Sequence, residues 1–243
     1  MHFYRQLTPV RALSFDLDDT LYDNRPVIQR VEQAMFTWLT QRLPSHIAVD
    51  VDAWQRLKQQ LAAADPMLKH DVSAWRVETL KIGFMQLGVR LKQAEALAQQ
   101  GLEVALEVRN QVDVPDETHR VLKALSAHFP LIGLTNGNVD AKKIGLAPYF
   151  VEVFQAGKDG LAKPEADLFN LATQTLQLPA SSILHVGDHL KTDVYGAKLH
   201  GFQACWFNDQ NKPILQQSKA LTLPDVEISQ LSQLLTIVGL EQK

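Results

Sequence analysis

Residues 14–24 read SFDLDDTLYDN, and four of these eleven positions are aspartate, set directly behind the short apolar run VRALSF (10–15). Two carboxylates about 4 Å apart repel by roughly 4 kcal/mol at an effective dielectric near 20, so such a cluster calls for a cation beside it. The run itself is β-compatible, which makes the cluster the end of a strand. The fold follows from where the partners of that strand lie.

Similar runs recur at LIGLT (131–135), VEVFQA (151–156), SILHVG (182–187) and QACWF (203–207), each followed by a polar or glycine-containing loop. Helical patterns separate them: Val121, Leu122 and Leu125 before LIGLT, Leu168 to Leu176 before SILHVG, and Val194, Ala197 and Lys198 before QACWF. Strands alternating with helices of this length predict an α/β, Rossmann-like parallel sheet of about five strands. From about residue 26 to residue 112 the alternation stops. Ile28, Val31, Met35, Trp38 and Leu39 share one helical face; Val72, Trp75, Thr79, Leu80, Gly83 and Leu87 share a second; Ala94, Leu97, Ala98, Leu102, Ala105 and Leu106 share a third. The pattern predicts a helical cap over residues 23–113, inserted into an α/β core made of residues 1–22 and 114–243. A last stripe, Ile228, Leu231, Leu234, Leu235 and Val238, predicts a docking helix.

Hydrophobic residues make up 46% of the chain and charged residues 21%, which excludes a disordered protein. A net charge of -3 without a Lys/Arg block argues against nucleic acid as a partner. No window approaches the ~20 apolar residues of a membrane span, and the N-terminus lacks a signal-peptide core, so a cytoplasmic protein with no membrane partner is expected. The single cysteine, Cys205, lies in an apolar run and reads as a buried thiol.

Functional groups of an open parallel sheet gather where strands end and loops begin. Asp16, Asp18, Asp19 and Thr20 follow the first strand; Thr135, Asn136 and Gly137 the second; Lys163 and Pro164 the third; Gly187, Asp188 and Asp193 the fourth. Asp16, Asp18 and Asp188 offer hard oxygen ligands suited to Mg²⁺, and Lys163 adds a second positive charge. Thr135 brings a hydroxyl, and the Asn136-Gly137 turn, read as a helix start, brings backbone N–H groups for phosphoryl oxygens. An EF-hand from Asp16 is excluded, because Leu21 stands where glycine is needed and Val27 where the bidentate glutamate is needed. Asp19, Asp23 and Asp140 read as turn formers or helix caps, and His185 and His189 carry no assigned role.

In this order DLDDT, LTN, KP and GDHLKTD resemble the four motifs of the haloacid dehalogenase superfamily. The resemblance implies that Asp16 is the nucleophile and that Asp18 is general acid and base, with its main-chain carbonyl on Mg²⁺. It implies that Thr135 and Lys163 bind phosphate and that Asp188 holds the metal. The fourth motif carries His189 where many relatives place a second acid, which leaves Asp193 as a more distant, outer acid. The helical block resembles the family's cap. A further resemblance, carried by FDLDDTLYDNRPVI, HDV with Trp75 and Arg76, DVPDETH, LTNGN, ILHVGD and QACW, is to bacterial flavin mononucleotide phosphatases of riboflavin biosynthesis. It implies a small-molecule phosphate ester as substrate: flavin mononucleotide or 5-amino-6-(5-phosphoribitylamino)uracil. Trp75 could stack on a flat ring and Arg76 pair with an anion, or Trp75 could be core and Arg76 a surface charge. A phosphatase of sugar phosphates or nucleotides, a phosphomutase, a haloacid dehalogenase and a non-enzymatic phosphoacceptor are the alternatives. The dehalogenase has no need of Asp18, and a receiver-type phosphoacceptor would place its lysine last, whereas Lys163 precedes Asp188.

Overall fold

The computed structural model describes residues 1–43 and 47–240; residues 44–46 of the expected cap and 241–243 of the expected core lie outside the described residues. The chain divides into two compact units. One holds Met1–Asp23, Asp113–Gly137 and Ala141–Lys243, and the other holds Asn24–Val112 with Asn138–Asp140.

The second unit is built from α1 (Arg25–Arg42), α2 (Val51–Ala64), α3 (Val72–Gln86) and α4 (Leu91–Arg109). Pro26 falls in the first turn of α1, where its missing N–H costs nothing. Asp50 and Asp71 cap α2 and α3, accepting the backbone N–H groups of Ala53 and of Ser73 and Ala74. The buried faces depart from the sequence reading in detail. Val27 rather than Ile28 is buried on α1, Phe84 joins the buried face of α3, and Val72 and Leu87 are exposed. On α4 the buried side is small for most of its length, Ala94, Ala98, Gly101 and Ala105, with Arg109 buried in the last turn, while Leu102 and Leu106 stay half-exposed. Small residues win because α4 packs closely against α1 and α3. A methyl on Gly101 would lie 2.6 Å from Leu80 Cδ1, so backbone proximity, not side-chain hydrophobicity, decides which face turns inward. Trp38 and Phe84 meet edge to face in this core, with Trp54 packed beside Phe84.

The first unit is a sheet with helices. Its strands are β1 (His2–Phe3), β2 (Ala12–Phe15), β3 (Leu131–Thr135), β4 (Glu152–Gln155), β5 (Ile183–Gly187), β6 (Gln203–Phe207) and β7 (Val226–Ile228). Its helices are α5 (Asp116–Ser126), α6 (Ala166–Leu176), the short α7 (Gly196–Leu199) and α8 (Gln233–Ile237). Among the described residues the strand order is β1-β7-β6-β5-β2-β3-β4, parallel throughout except for β1 against β7. All residues of β2, β3 and β5 are buried, as parallel strands covered on both faces require. The five expected strands form, and the class is α/β as expected.

Two strands escape sequence reading. The two-residue β1 and three-residue β7 are too short to show alternation, and β7 is anchored by the Asp225 carboxylate. That carboxylate accepts the Ala204 N–H at 2.7 Å and both of its oxygens bind the Lys198 ammonium. Ile228 therefore belongs to a strand, and the expected docking helix shrinks to α8, which packs on α5 through Leu234 and Leu235. Cys205 is buried in β6, and burial pushes its thiol well above the ordinary range. No helix among the described residues is long and apolar enough to cross a membrane.

Candidate active site

β2 is an interior strand, paired to β5 on one side and β3 on the other, so the residue after it emerges between two neighbouring carboxyl ends. The Asp16 N–H continues the ladder to the Val186 carbonyl at 2.9 Å. The chain then turns sharply: Leu21 N–H bonds the Leu17 carbonyl at 2.9 Å, and Asp19 takes a left-handed backbone with φ at 58°. Aspartate tolerates that conformation far better than a branched residue, which gives Asp19 a structural reason to be there. The turn also brings the Tyr22 hydroxyl to 2.6 Å from Asp18 Oδ1, to which it donates.

Lys163 lies between two carboxylates, its ammonium 2.8 Å from Asp16 Oδ1 and 2.6 Å from Asp193 Oδ1, and it is only 2% exposed. Burial works against its charge, but Asp16 and Asp193 overcome this and hold its pKa above the ordinary lysine value. Asn136 fixes the backbone of the lysine: its Nδ2 donates to the Lys163 carbonyl at 2.9 Å and its Oδ1 accepts the Lys163 N–H at 2.8 Å. The Asn136 side chain thus clamps the lysine loop. No helix starts at Asn136 and Gly137; bends and a turn follow β3, and the Gly137 N–H donates to Thr135 Oγ1 at 2.9 Å. With its oxygen accepting that bond, the buried Thr135 hydroxyl keeps a proton to donate.

After β5 the chain enters a π-helical turn, Leu190–Tyr195, a geometry that is rare and enriched at functional sites. His189 caps it, its Nδ1 accepting the Thr192 N–H at 3.1 Å. The turn carries Asp193 back toward the strand end, where its Oδ2 accepts the His189 N–H at 3.0 Å. Gly187 makes room: a Cβ there would lie 2.4 Å from Asp193 Cγ. Gly187→Ala is therefore expected to displace Asp193 and lower turnover about 10-fold, as losses around a site's supporting contacts do. Steady-state rates and circular dichroism melting on the same preparation check it.

Asp188 is steadied by Thr20, whose hydroxyl oxygen accepts the Asp188 N–H at 3.1 Å. Burial first, then Asp193 and Asp19, pushes the Asp188 carboxyl up to about 7. Burial likewise raises Asp16; Lys163 opposes this, and Asp193, Asp188 and Asp18 add to it. Burial works to raise Asp193, but Lys163 and His185 together outweigh it and hold the carboxyl well below the carboxylate range. One oxygen each of Asp16, Asp188 and Asp193 lie within 4.8 Å of one another. Three hard oxygen donors at that spacing, two of them straining to keep their protons, fit a small divalent cation. The carboxylates brought together are those of Asp16, Asp188 and Asp193; the Asp18 carboxylate is not in the group.

In the helical unit, the Trp75 indole N–H donates to the Lys58 carbonyl at 2.8 Å, and the Lys58 ammonium lies 4.5 Å from the ring centroid. Arg76 is largely buried, and its Nε has no hydrogen-bond partner among the described residues. Burial disfavours the charge of both Arg76 and Lys58, with Glu32 opposing it.

Tyr22, Thr20 and the Asn136 clamp were not assigned from sequence. The first two stand within DDTLY, so the motif's own ending could have flagged them; the clamp has no sequence signal, because it joins loops far apart in the chain.

A family model for haloacid dehalogenase-like hydrolases matches residues 10–201. The chain belongs to the haloacid dehalogenase-like hydrolase family. It is 40% identical, over 98% of its length and 100% of the relative, to the 5-amino-6-(5-phospho-D-ribitylamino)uracil phosphatase YigB of Escherichia coli (strain K12). Among solved structures it is similar to a 2-haloacid dehalogenase from Pseudomonas syringae pv. Tomato DC3000, with a TM-score of 0.88 and 36% identity over 95% of this chain and 98% of that one. It also shares its fold with a HAD phosphatase from Thermococcus onnurineus, with a TM-score of 0.68 and 24% identity, covering 96% and 100% of the two chains. The enzyme class is that of the phosphoric monoester hydrolases.

Proposed function

We propose that the protein is a Mg²⁺-dependent phosphomonoesterase that works through an aspartyl-phosphate on Asp16, with flavin mononucleotide or 5-amino-6-(5-phosphoribitylamino)uracil as substrate. The observation that carries the chemistry is the Lys163 ammonium bound to Asp16 Oδ1 at 2.8 Å, at the end of β2 and beside Asp188 and Asp193. The substrate assignment rests on the 40% identity to the Escherichia coli phosphatase.

Asp16 attacks phosphorus with a carboxylate oxygen, and the bond from phosphorus to the ester oxygen breaks in line. Asp18 gives its proton to the departing alkoxide; the Tyr22 hydroxyl, 2.6 Å away, keeps that carboxyl oriented. Water then attacks the same phosphorus, Asp18 takes its proton, and the bond to Asp16 breaks to release phosphate. The Thr135 hydroxyl and the Lys163 ammonium bind phosphoryl oxygens, with the backbone at Asn136 and Gly137 beside them. Mg²⁺, held by Asp16, Asp188 and the Asp18 carbonyl with Asp193 as an outer acid, would supply charge neutralisation for the phosphoryl oxygens. The selection of substrate is assigned to the helical unit, with Trp75 and Arg76 as its candidate residues.

Phosphate release is measured with Mg²⁺ over flavin mononucleotide, the ribitylaminouracil phosphate, sugar phosphates and nucleoside monophosphates. The expected result is preference for the first two, abolished by chelator and restored by Mg²⁺. Turnover of sugar phosphates or nucleotides alone would discard the substrate and keep the chemistry. The Pseudomonas syringae similarity favours one second reading, dehalogenation. Halide release from 2-chloropropionate without metal, and no phosphate release, would establish it in place of the first.

A further inference from the structure

Behind the lysine lies a buried polar pair that the mechanism above does not use. Ser14 and His185 stand opposite each other on β2 and β5, in register, and are 0% and 1% exposed. Residues two apart along a strand share a face, so Ser14 lies on the face of Asp16 and His185 on that of Gly187. Ser14 Oγ is 2.9 Å from His185 Nδ1, and His185 Nε2 is 3.4 Å from Asp193 Oδ1, the oxygen that binds Lys163. Phe169 stands edge-on to the imidazole, 5.4 Å between centroids, and closes off its flank.

The hydrogen positions follow from the partners. A carboxylate that binds an ammonium can only accept, so Nε2 carries the proton, and Nδ1 is left to accept from the Ser14 hydroxyl. The row then reads Ser14, His185, Asp193, Lys163, Asp16, each donating or accepting in a consistent sense. A buried parallel sheet ordinarily fills such positions with valine or leucine, and a polar pair there costs stability unless every group is satisfied. Asp193 Oδ2 is held by the His189 N–H and Oδ1 by the Lys163 ammonium, so His185 supplies a third restraint on the carboxylate.

We propose that His185, backed by Ser14, is a positioning residue that sets the orientation of Asp193 and through it the place of the Lys163 ammonium against Asp16. The inference rests on the role given to Lys163 above.

The test uses the whole protein with Mg²⁺ and para-nitrophenyl phosphate, well below each variant's melting temperature. His185→Leu is expected to lower kcat about 10-fold, the scale at which supporting partners of a site act. His185→Gln, whose amide N–H can occupy the place of Nε2–H, is expected to recover most of that loss. Ser14→Ala is expected to cost about 2–3-fold alone and nothing further in the His185→Leu background, since both act through one carboxylate. A merely structural pair would give equal losses for the Leu and Gln variants, following the fall in melting temperature, and that result overturns the proposal, as does wild-type kcat in His185→Leu. If His185→Leu does not fold, the Gln variant and Ser14→Ala decide: full activity in Ser14→Ala with a deep loss in His185→Gln overturns it. Lys163→Met measured alongside separates the two levels. Full activity there removes the role of Lys163 itself, whereas its loss combined with an active His185→Leu removes only the positioning role.

Discussion

Replacing Asp16 by asparagine is expected to remove turnover of every phosphate ester by at least about 10⁴-fold, the scale at which a covalent nucleophile's loss is felt. The same change is expected to leave the fold as stable or make it more so. In the folded protein Asp16 is buried among Asp193, Asp188 and Asp18, and its pKa lies well above the ordinary carboxyl value despite Lys163. A raised carboxyl pKa means that the folded state binds the proton more tightly than the unfolded chain does. Ionisation above about pH 4 therefore works against folding, and an uncharged amide escapes that penalty. Melting temperatures in chelator, at pH 5 and pH 8, check this: the advantage of the asparagine variant should be larger at pH 8. An asparagine variant that turns over at the wild-type rate would eliminate Asp16 as nucleophile.

The second large effect is expected from Lys163→Met, which acts on stability and on rate together. The lysine is the shared partner of two buried carboxylates, and removing one member of such a cluster costs about 3–5 kcal/mol because the remaining charges are left uncompensated. Asp193, which the lysine and His185 together hold below the carboxylate range, would lose the larger of these two influences and shift toward the protonated state that its burial favours. The variant thus gains protons on folding that the wild type does not, so its deficit in melting temperature should shrink as the pH falls from 8 to 5. Turnover should fall about 10²–10³-fold, as when a preorganised charge facing a developing anion is lost. A variant with wild-type stability at pH 8 would mean that the carboxylates do not need the lysine.

The central part of this site is legible in the sequence because its groups follow strands that announce themselves. VRALSF, LIGLT and SILHVG are apolar runs, and whatever follows them in a parallel sheet must emerge at the carboxyl edge. Asp16 and Asp188 are readable for that reason, Thr135 closes its own strand, and Lys163 is readable from the loop after VEVFQA. What escaped has a different origin. The Asn136 clamp, the Tyr22 bond to Asp18 and the Ser14–His185 pair are relations between side chains rather than properties of a segment. His185 in particular is hidden by its strand, since one histidine inside ILHVG resembles a tolerated polar residue until β2 sets a serine opposite it. Helix faces were legible in large part, and their departures have the same origin. On α4 the expected face held Ala94, Ala98 and Ala105, which are buried, but also Leu97, Leu102 and Leu106, which stay half-exposed, while Gly101 turns inward, because close helix approach is a property of the pair.

The topology also has a consequence for the order of assembly on the ribosome. β2 emerges before α1 to α4, yet its neighbours β3 and β5 are encoded after all four of those helices. The helices α1 to α4 draw their packing from residues close along the chain, and such local contacts form early, whereas the pairing of β2 must wait for distant sequence. During synthesis the acidic turn after β2 is therefore exposed to water without its lysine, and its carboxylates stay fully hydrated rather than crowded. The repulsion built into the site arises only when the sheet closes, at the step that also delivers the Lys163 ammonium to relieve it.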